Sequence, residues 1–416
     1  MNLVPKSIVV AALLIGLAGC ALDRGAGLSC ELPIEGAGLV TQSAFDPTDT
    51  QHRASMAVTD EAFAPSMADA LQQSVQEQVR RAPAPVRRKA QPPIEIDVLA
   101  LSAGGQYGSF GAGFLRGWSQ NPKTPRPEFD LVTGVSAGGM LAPVAFTASS
   151  SDQALDVFRG LHEDGVYTRR GVLSLPSSSS FFSAEPLERL LKTLLTDDLI
   201  AGVAERHRTG ARLLVMATNL DTTRAQVFDL GEIASAVRPM SERRDCMAEV
   251  MLASAAIPGA FPPRNIDGTL YVDGGLRDQV FLRAIESARV IVAQQTGRDV
   301  QVNATIVING SLRAPAEPVK DSLFGYAERS LFTLADEVLR DSINETLTFA
   351  EDNDDWNVKG VIADVAVEEI CPTSEAVGTF DRCVTTALFD AGLELGKTAP
   401  VDFMTSEELR ALADEY

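Results

Sequence analysis

From Ile94 onward short apolar strands alternate with helical stretches, and that alternation restricts the chain to a layered α/β fold. Ile94–Ser102 (I-E-I-D-V-L-A-L-S) alternates and then turns fully apolar, as a strand entering the middle of a sheet does. Further strands are predicted at Phe129–Thr133, Arg212–Thr218, Gln226–Asp229, Leu270–Val272, Val290–Ala293 and Gln301–Asn309. Helices are predicted at Phe110–Ser119, Ala137–Thr147, Gln153–Leu161, Glu185–Leu195 and Cys246–Ala256. Strands separated by helices imply a mostly parallel central sheet with helices packed on it. A long helix, Leu323–Asp352, follows Pro315 and leads into a final segment. Residues 94–312 are therefore expected to form the core, and 313–416 a helical extension packed on it. No internal repeat is visible.

The N-terminus reads as an address. Ile8–Leu17 is a ten-residue apolar run behind Lys6, too short to span a bilayer but suited to a signal-peptide core. Leu17-Ala18-Gly19-Cys20 then resembles a bacterial lipobox, in which the chain is cut after residue 19 and Cys20 is lipidated. Ala21 is not the aspartate associated with inner-membrane retention, so the expected destination is the outer membrane, facing the periplasm. Residues 20–93 are expected as a tether. They contain one short amphipathic stretch (Met67, Leu71, Val75, Val79) and a Pro-rich basic run over 80–93 that reads as a spacer or as a contact for anionic headgroups. In an oxidising compartment four thiols remain beside Cys20. Cys371 and Cys383, twelve apart, are the natural local pair; Cys30 and Cys246 are left over, their pairing open.

Charge narrows the partners. Lys plus Arg number 36 against 56 for Asp plus Glu, a net charge of −20, which repels phosphate backbones and argues against nucleic acid. Five scattered cysteines without a C-x-x-C, and no acidic loop, suggest neither a zinc nor a calcium site, and no cofactor is expected.

Three motifs carry chemistry. Leu131–Gly139 (L-V-T-G-V-S-A-G-G) holds a G-x-S-x-G, with Gly134, Ser136 and Gly138, between a strand and a helix. On such an elbow the serine hydroxyl is lifted to a helix N-terminus, where partial positive charge favours a developing anion. Ser102–Gly113 closes the first strand with Gly104-Gly105, whose backbone N–H groups can converge on one point as an oxyanion hole. It contains no G-x-G-x-x-G, which argues against a dinucleotide loop. Asp273 ends a strand ahead of Gly274 and Gly275, where a carboxylate can line a sheet-end crevice.

The order of these motifs, with Asp273 lying 137 residues after Ser136, resembles the patatin-like phospholipase family. Ala217–Gly231 and Ala253–Pro263 resemble that family's strand pair and the loop before its aspartate strand. The resemblance covers Ile94–Asn309. It implies a three-layer α/β/α sandwich, a Ser–Asp dyad of Ser136 and Asp273, an oxyanion turn at Gly104 and Gly105, and lipid acyl-ester substrates. Three departures stand out: Ala103 in place of the first loop glycine, Tyr107 where a basic residue is common, and Pro143 inside the helix after the serine, where it should kink or end it. The run 176–182, ending in Phe181 and Phe182, reads either as an apolar flap or as a surface loop.

The expected function is that of a membrane-tethered serine acyl hydrolase, a phospholipase or lysophospholipase working through a covalent acyl-enzyme. A thioesterase, a general carboxylesterase, or an inactive fold serving as a binding module are the alternatives. Only His52, His162 and His207 exist, and none follows Asp273, so a dyad without histidine is expected, with a rearranged triad through His207, in the charged stretch Glu205–Arg208, as the alternative.

Overall fold

The computed structural model describes residues 27–30, 67–74, 76, 93–147, 149–171, 178–282, 284–312, 319, 321–372 and 380–414. Cys20 and the basic run over 80–92 lie outside them. The chain enters the fold with strand β1 (Ile94–Leu101) and helix α1 (Gly108–Ser119), then β2 (Leu131–Val135) and α2 (Ala137–Phe146). A short hairpin, β3 (Thr168–Arg169) and β4 (Phe182–Ser183), precedes α3 (Glu185–Leu194) and α4 (Asp197–Arg208). Next come β5 (Arg212–Asn219), β6 (Arg224–Asp229), α5 (Leu230–Ser235), α6 (Met240–Ser254), β7 (Arg264–Ile266) and β8 (Thr269–Asp273). The remainder is α7 (Ala284–Thr296), β9 (Val300–Ile308), α8 (Leu323–Glu351), β10 (Trp356–Ile362), α9 (Arg382–Lys397), β11 (Met404–Thr405) and α10 (Ser406–Asp414).

The main sheet runs β11-β10-β9-β1-β2-β5-β8-β7, with β6 also paired to β5. Its centre, β10-β9-β1-β2-β5, is parallel, and the strands at both ends are antiparallel. The pleat of β1 divides its side chains between two cores: Leu99 and Leu101 enter one, Ile94, Ile96, Val98 and Ala100 the other. Helices α1, α2, α6 and α9 cover the first face, and α7, α8 and α10 the second, giving the expected α/β/α sandwich.

Several expectations need correcting. Val290–Ala293 is not a strand but part of α7. Its apolar run is continuous in sequence, yet Val290 is exposed while Ile285, Ala288 and Val292 are buried at helical spacing. Gln153–Leu161 forms no α-helix; a 3₁₀ run occupies Ser149–Phe158. Pro143 sits within α2, which continues to Phe146. Segment 313–416 is not a helical extension laid on a finished core, because β10 pairs in parallel with β9 and extends the sheet. Its alternation of buried Trp356 and Val358 with exposed Asn357 and half-buried Lys359 was present in the sequence. Helix α9 docks on α1 by close backbone approach: a Cβ on Gly113 would lie 1.9 Å from the Phe389 carbonyl.

Two pieces of the segment before residue 93 pack on the core. Leu28 bridges Ile266, and Cys30 is disulfide-bonded to Cys246. A helix over 67–74 buries Met67 and Leu71 on the second face, and Ser74 donates to the buried Asp130 carboxylate. Cys371 and Cys383 form the local disulfide. Among the described residues no helix is long and apolar enough to cross a membrane.

Candidate active site

Ser136 occupies the junction of β2 and α2 with φ 52°, a left-handed backbone that side chains other than glycine seldom adopt. The elbow is tight enough to require its flanking glycine at 138, where a Cβ would stand 2.1 Å from the Leu101 carbonyl oxygen. The strained turn is braced from behind. The Ser136 N–H donates to Ser254 Oγ at 2.8 Å, and that hydroxyl donates onward to the Met216 carbonyl at 2.6 Å. Ser254 is fully buried at the end of α6; nothing in its sequence neighbourhood distinguishes a bracing serine from a packed one.

Asp273 reaches Ser136 through strand register. Residues 214–219 of β5 pair with β6 along one edge, which leaves the other edge to be shared. On that edge β2 pairs as far as Val135 opposite Met216, and β8, running the other way, ends where β2 stops, with Asp273 opposite Ala217. β8 is antiparallel to β5, so the carboxylate reaches the sheet end from the opposite direction to the parallel strands the sequence suggested. Ser136 Oγ donates to Asp273 Oδ2 at 2.8 Å, and the Gly275 N–H donates to Oδ1 at 2.7 Å. The acid is 6% exposed; burial penalises its charged form and pushes its pKa up to about 6, against these two hydrogen bonds. Gly274 packs against the Met216 carbonyl behind the site.

The Gly104-Gly105 turn faces the same space. At Gly104 a Cβ would collide with the Asn309 carbonyl oxygen at 1.4 Å, while Gly105 has φ +54° and open space on its Cβ side. Asn309, fully buried, holds the loop by donating from Nδ2 to the Ser102 carbonyl and from its N–H to Ser102 Oγ. The first N–H groups of α2 have no partner within the helix, so the turn and the helix start both offer donors beside the serine hydroxyl.

Ser136, Asp273, Gly104, Gly105 and Gly275 all line one cavity of about 300 Å³. Its other walls are largely apolar, among them Tyr167, Phe182, Ile257, Phe261, Leu276 and Phe332. Phe182 packs on Tyr167 with ring centroids 4.5 Å apart, and the N–H groups of Phe181 and Phe182 donate to the carbonyls of Gly259 and Ala260. The end of the 176–182 run thus forms part of the cavity wall; residues 176–177 lie outside the described residues. Phe332 and its neighbours come from α8, whose place over the site no motif announced.

Neither described histidine joins the cavity. His162 caps a short helical turn near Asp164, and His207 lies 3.5 Å from Asp229 on the wall of a separate cavity. His52 is outside the described residues. Among those residues no cluster of three or more His, Cys, Asp or Glu side chains could hold a metal.

An apolar cavity lined by a serine in a left-handed turn and a buried carboxylate, in an α/β/α sandwich, fits the lipid hydrolases. The chain belongs to the patatin-like phospholipase family, whose model matches residues 99–285. It is similar to a cGAMP-activated phospholipase of Pseudomonas aeruginosa, 30% identical over 269 residues covering 63% of this chain and 77% of that protein. A cGAMP-activated phospholipase of Escherichia coli is 24% identical over 193 residues, 44% of this chain and 52% of its own. The crystal structure of VipD from Legionella pneumophila aligns over 81% of this chain and 73% of its own, at 13% identity and a TM-score of 0.33.

Proposed function

We propose that this protein is a serine acyl hydrolase that cleaves ester-linked acyl chains from phospholipids or lysophospholipids, anchored by lipid on Cys20 in the outer membrane and facing the periplasm. The observation that carries the reading is the 2.8 Å hydrogen bond from Ser136 Oγ to a buried carboxylate at the end of an apolar cavity. In the proposed reaction Asp273 accepts the Ser136 proton as Oγ attacks the ester carbonyl. The N–H groups of the Gly104-Gly105 turn and the start of α2 receive the oxyanion. The leaving alcohol takes the proton, and water activated by the same carboxylate releases the fatty acid from the acyl-serine. The apolar walls hold the acyl chain and exclude bulk water, which keeps Asp273 basic enough for the task.

A fluorophosphonate probe tests the nucleophile. A covalent adduct on Ser136 of folded protein, together with fatty acid released from mixed membrane phospholipids, is the expected result. Absence of both would favour the binding-module alternative. Release from acyl thioesters but not from phospholipids would favour a thioesterase. The anchor rests on Leu17-Ala18-Gly19-Cys20, and Cys20→Ala is expected to shift the protein into the soluble periplasmic fraction or block its processing. A variant that matures and fractionates with membranes as before would remove the lipoprotein reading.

A further inference from the structure

Arg329 is the cation among the described residues that line the Ser136 cavity; the acids there are Asp273 and Asp336. The glycine loop contributes no positive charge to the cavity, whose wall has Tyr107 at the position where a basic residue is common. The cation comes instead from α8, beyond the segment matched by the family model. On that helix Ala327, Leu331, Ala335 and Leu339 recur every four residues and face the cavity as an apolar ridge. Arg329 and Asp336 stand on the same wall, Arg329 half-buried.

We propose that Arg329 binds the phosphate of a phospholipid headgroup and makes this cavity selective for phosphodiester lipids over neutral esters. The inference rests on the acyl hydrolase reading above. In a glycerophospholipid the scissile ester and the phosphate are carried by the same three-carbon backbone. An acyl chain lying among Phe182, Phe261 and Phe332 with its ester at Ser136 therefore brings the phosphate to the cavity wall only a few bonds away. A guanidinium offers a planar pair of donors that matches two phosphate oxygens, a geometry a neutral diacylglycerol cannot use. Half-burial keeps that contact open to a headgroup entering from solvent while limiting its screening. Asp336 interacts with Arg329 and is the group the phosphate displaces; burial raises its carboxyl from the ordinary value, against the pull of Arg329 and Arg340. In a chain of net charge −20, this arginine is what allows an anionic phosphodiester into an otherwise repelling surface.

The test compares phosphatidylglycerol with diacylglycerol of the same acyl chains, presented in the same neutral detergent micelles to the full chain. Losing a charge-assisted bidentate contact corresponds to roughly tenfold or more. Arg329→Gln is therefore expected to raise KM for phosphatidylglycerol by about that factor relative to any change in KM for diacylglycerol. Arg329→Lys keeps the charge but not the paired donors, so it should recover only part of the phosphatidylglycerol affinity, and melting temperatures should match wild type. Equal changes on both lipids, or no change on phosphatidylglycerol, overturns the proposal and leaves Arg329 as a brace for α8. If wild type hydrolyses neither lipid, the hydrolase reading fails, and Arg329 is judged separately by binding. Short-chain phosphatidylglycerol titrated into Ser136→Ala with and without Arg329→Gln then decides, equal affinity overturning the proposal.

Discussion

Val135 and Asp273 end two strands that run toward each other along one edge of β5, paired with its consecutive residues Met216 and Ala217. The residue after Val135 is Ser136, so two side chains 137 positions apart in sequence meet at 2.8 Å without a loop having to carry either of them. Asp273 ends its strand and Ser136 directly follows the end of its own in the same sheet, which fixes their separation more firmly than placement on long loops would.

Substitution at the pair should separate chemistry from folding. Ser136→Ala and Asp273→Asn are each expected to lower kcat by about four to six orders of magnitude, the scale of removing a nucleophile or a group that handles its proton. His207→Ala, on the wall of the other cavity, should stay within a few-fold of wild type. Loss of kcat in His207→Ala equal to that in Ser136→Ala, at unchanged melting temperature, would reject the dyad.

The elevated pKa of Asp273 sets the pH dependence. In the proposed mechanism the carboxylate form is the base, so kcat/KM should rise with pH, with an apparent pKa near 6, and then level off. A limb near the ordinary aspartate value of about 4 would show that the site is wetter than its burial implies.

The same shift has a consequence for stability. The folded acid keeps its proton between about pH 4 and 6 where the unfolded chain has lost it, so stability falls with rising pH across that window. Above pH 6 the full penalty, on the order of 2–3 kcal/mol for a two-unit shift, is in place. Asp273→Asn should therefore unfold at higher denaturant than wild type at pH 8 and lose that advantage near pH 4. An Asn variant less stable than wild type at pH 8 would contradict the assignment.

Ser254→Ala removes the acceptor of the Ser136 N–H and the donor to the Met216 carbonyl, both buried. Leaving such groups unsatisfied costs about 1–3 kcal/mol, readable as a lower unfolding midpoint. Because the elbow at φ 52° depends on this brace, kcat should fall as well, with KM little changed. A variant with wild-type kcat would show that the elbow is held by its glycines alone.

The Cys371–Cys383 disulfide closes a twelve-residue separation next to α9. In the chain-entropy model such a loop contributes about 3 kcal/mol, so Cys383→Ser should lower the unfolding midpoint by a comparable amount in oxidised protein. Peptide mapping of unreduced, oxidised protein should show the pair linked; free thiols at both positions would remove it.

The local chemistry was legible in the chain. Apolar strands, glycines at 134 and 138, and the aspartate ahead of two glycines are properties of short segments, since backbone approach and turn geometry dictate residue type within a few positions. Gly104 shows the limit of this. Its loop was visible in sequence, but the reason no side chain fits there is the Asn309 carbonyl, 205 residues away. Val290–Ala293 shows another: four apolar residues satisfy a strand or a helix, and only their burial against the second face selects the helix. Three things were left to tertiary structure. They are the register that seats β8 beyond the end of β2 on β5, the serine that braces the elbow, and the helix from the last hundred residues that walls the cavity and carries Arg329. Each depends on long-range pairing and shared burial, in which one segment's position is set by surface another segment leaves uncovered. No pattern within a single segment encodes that.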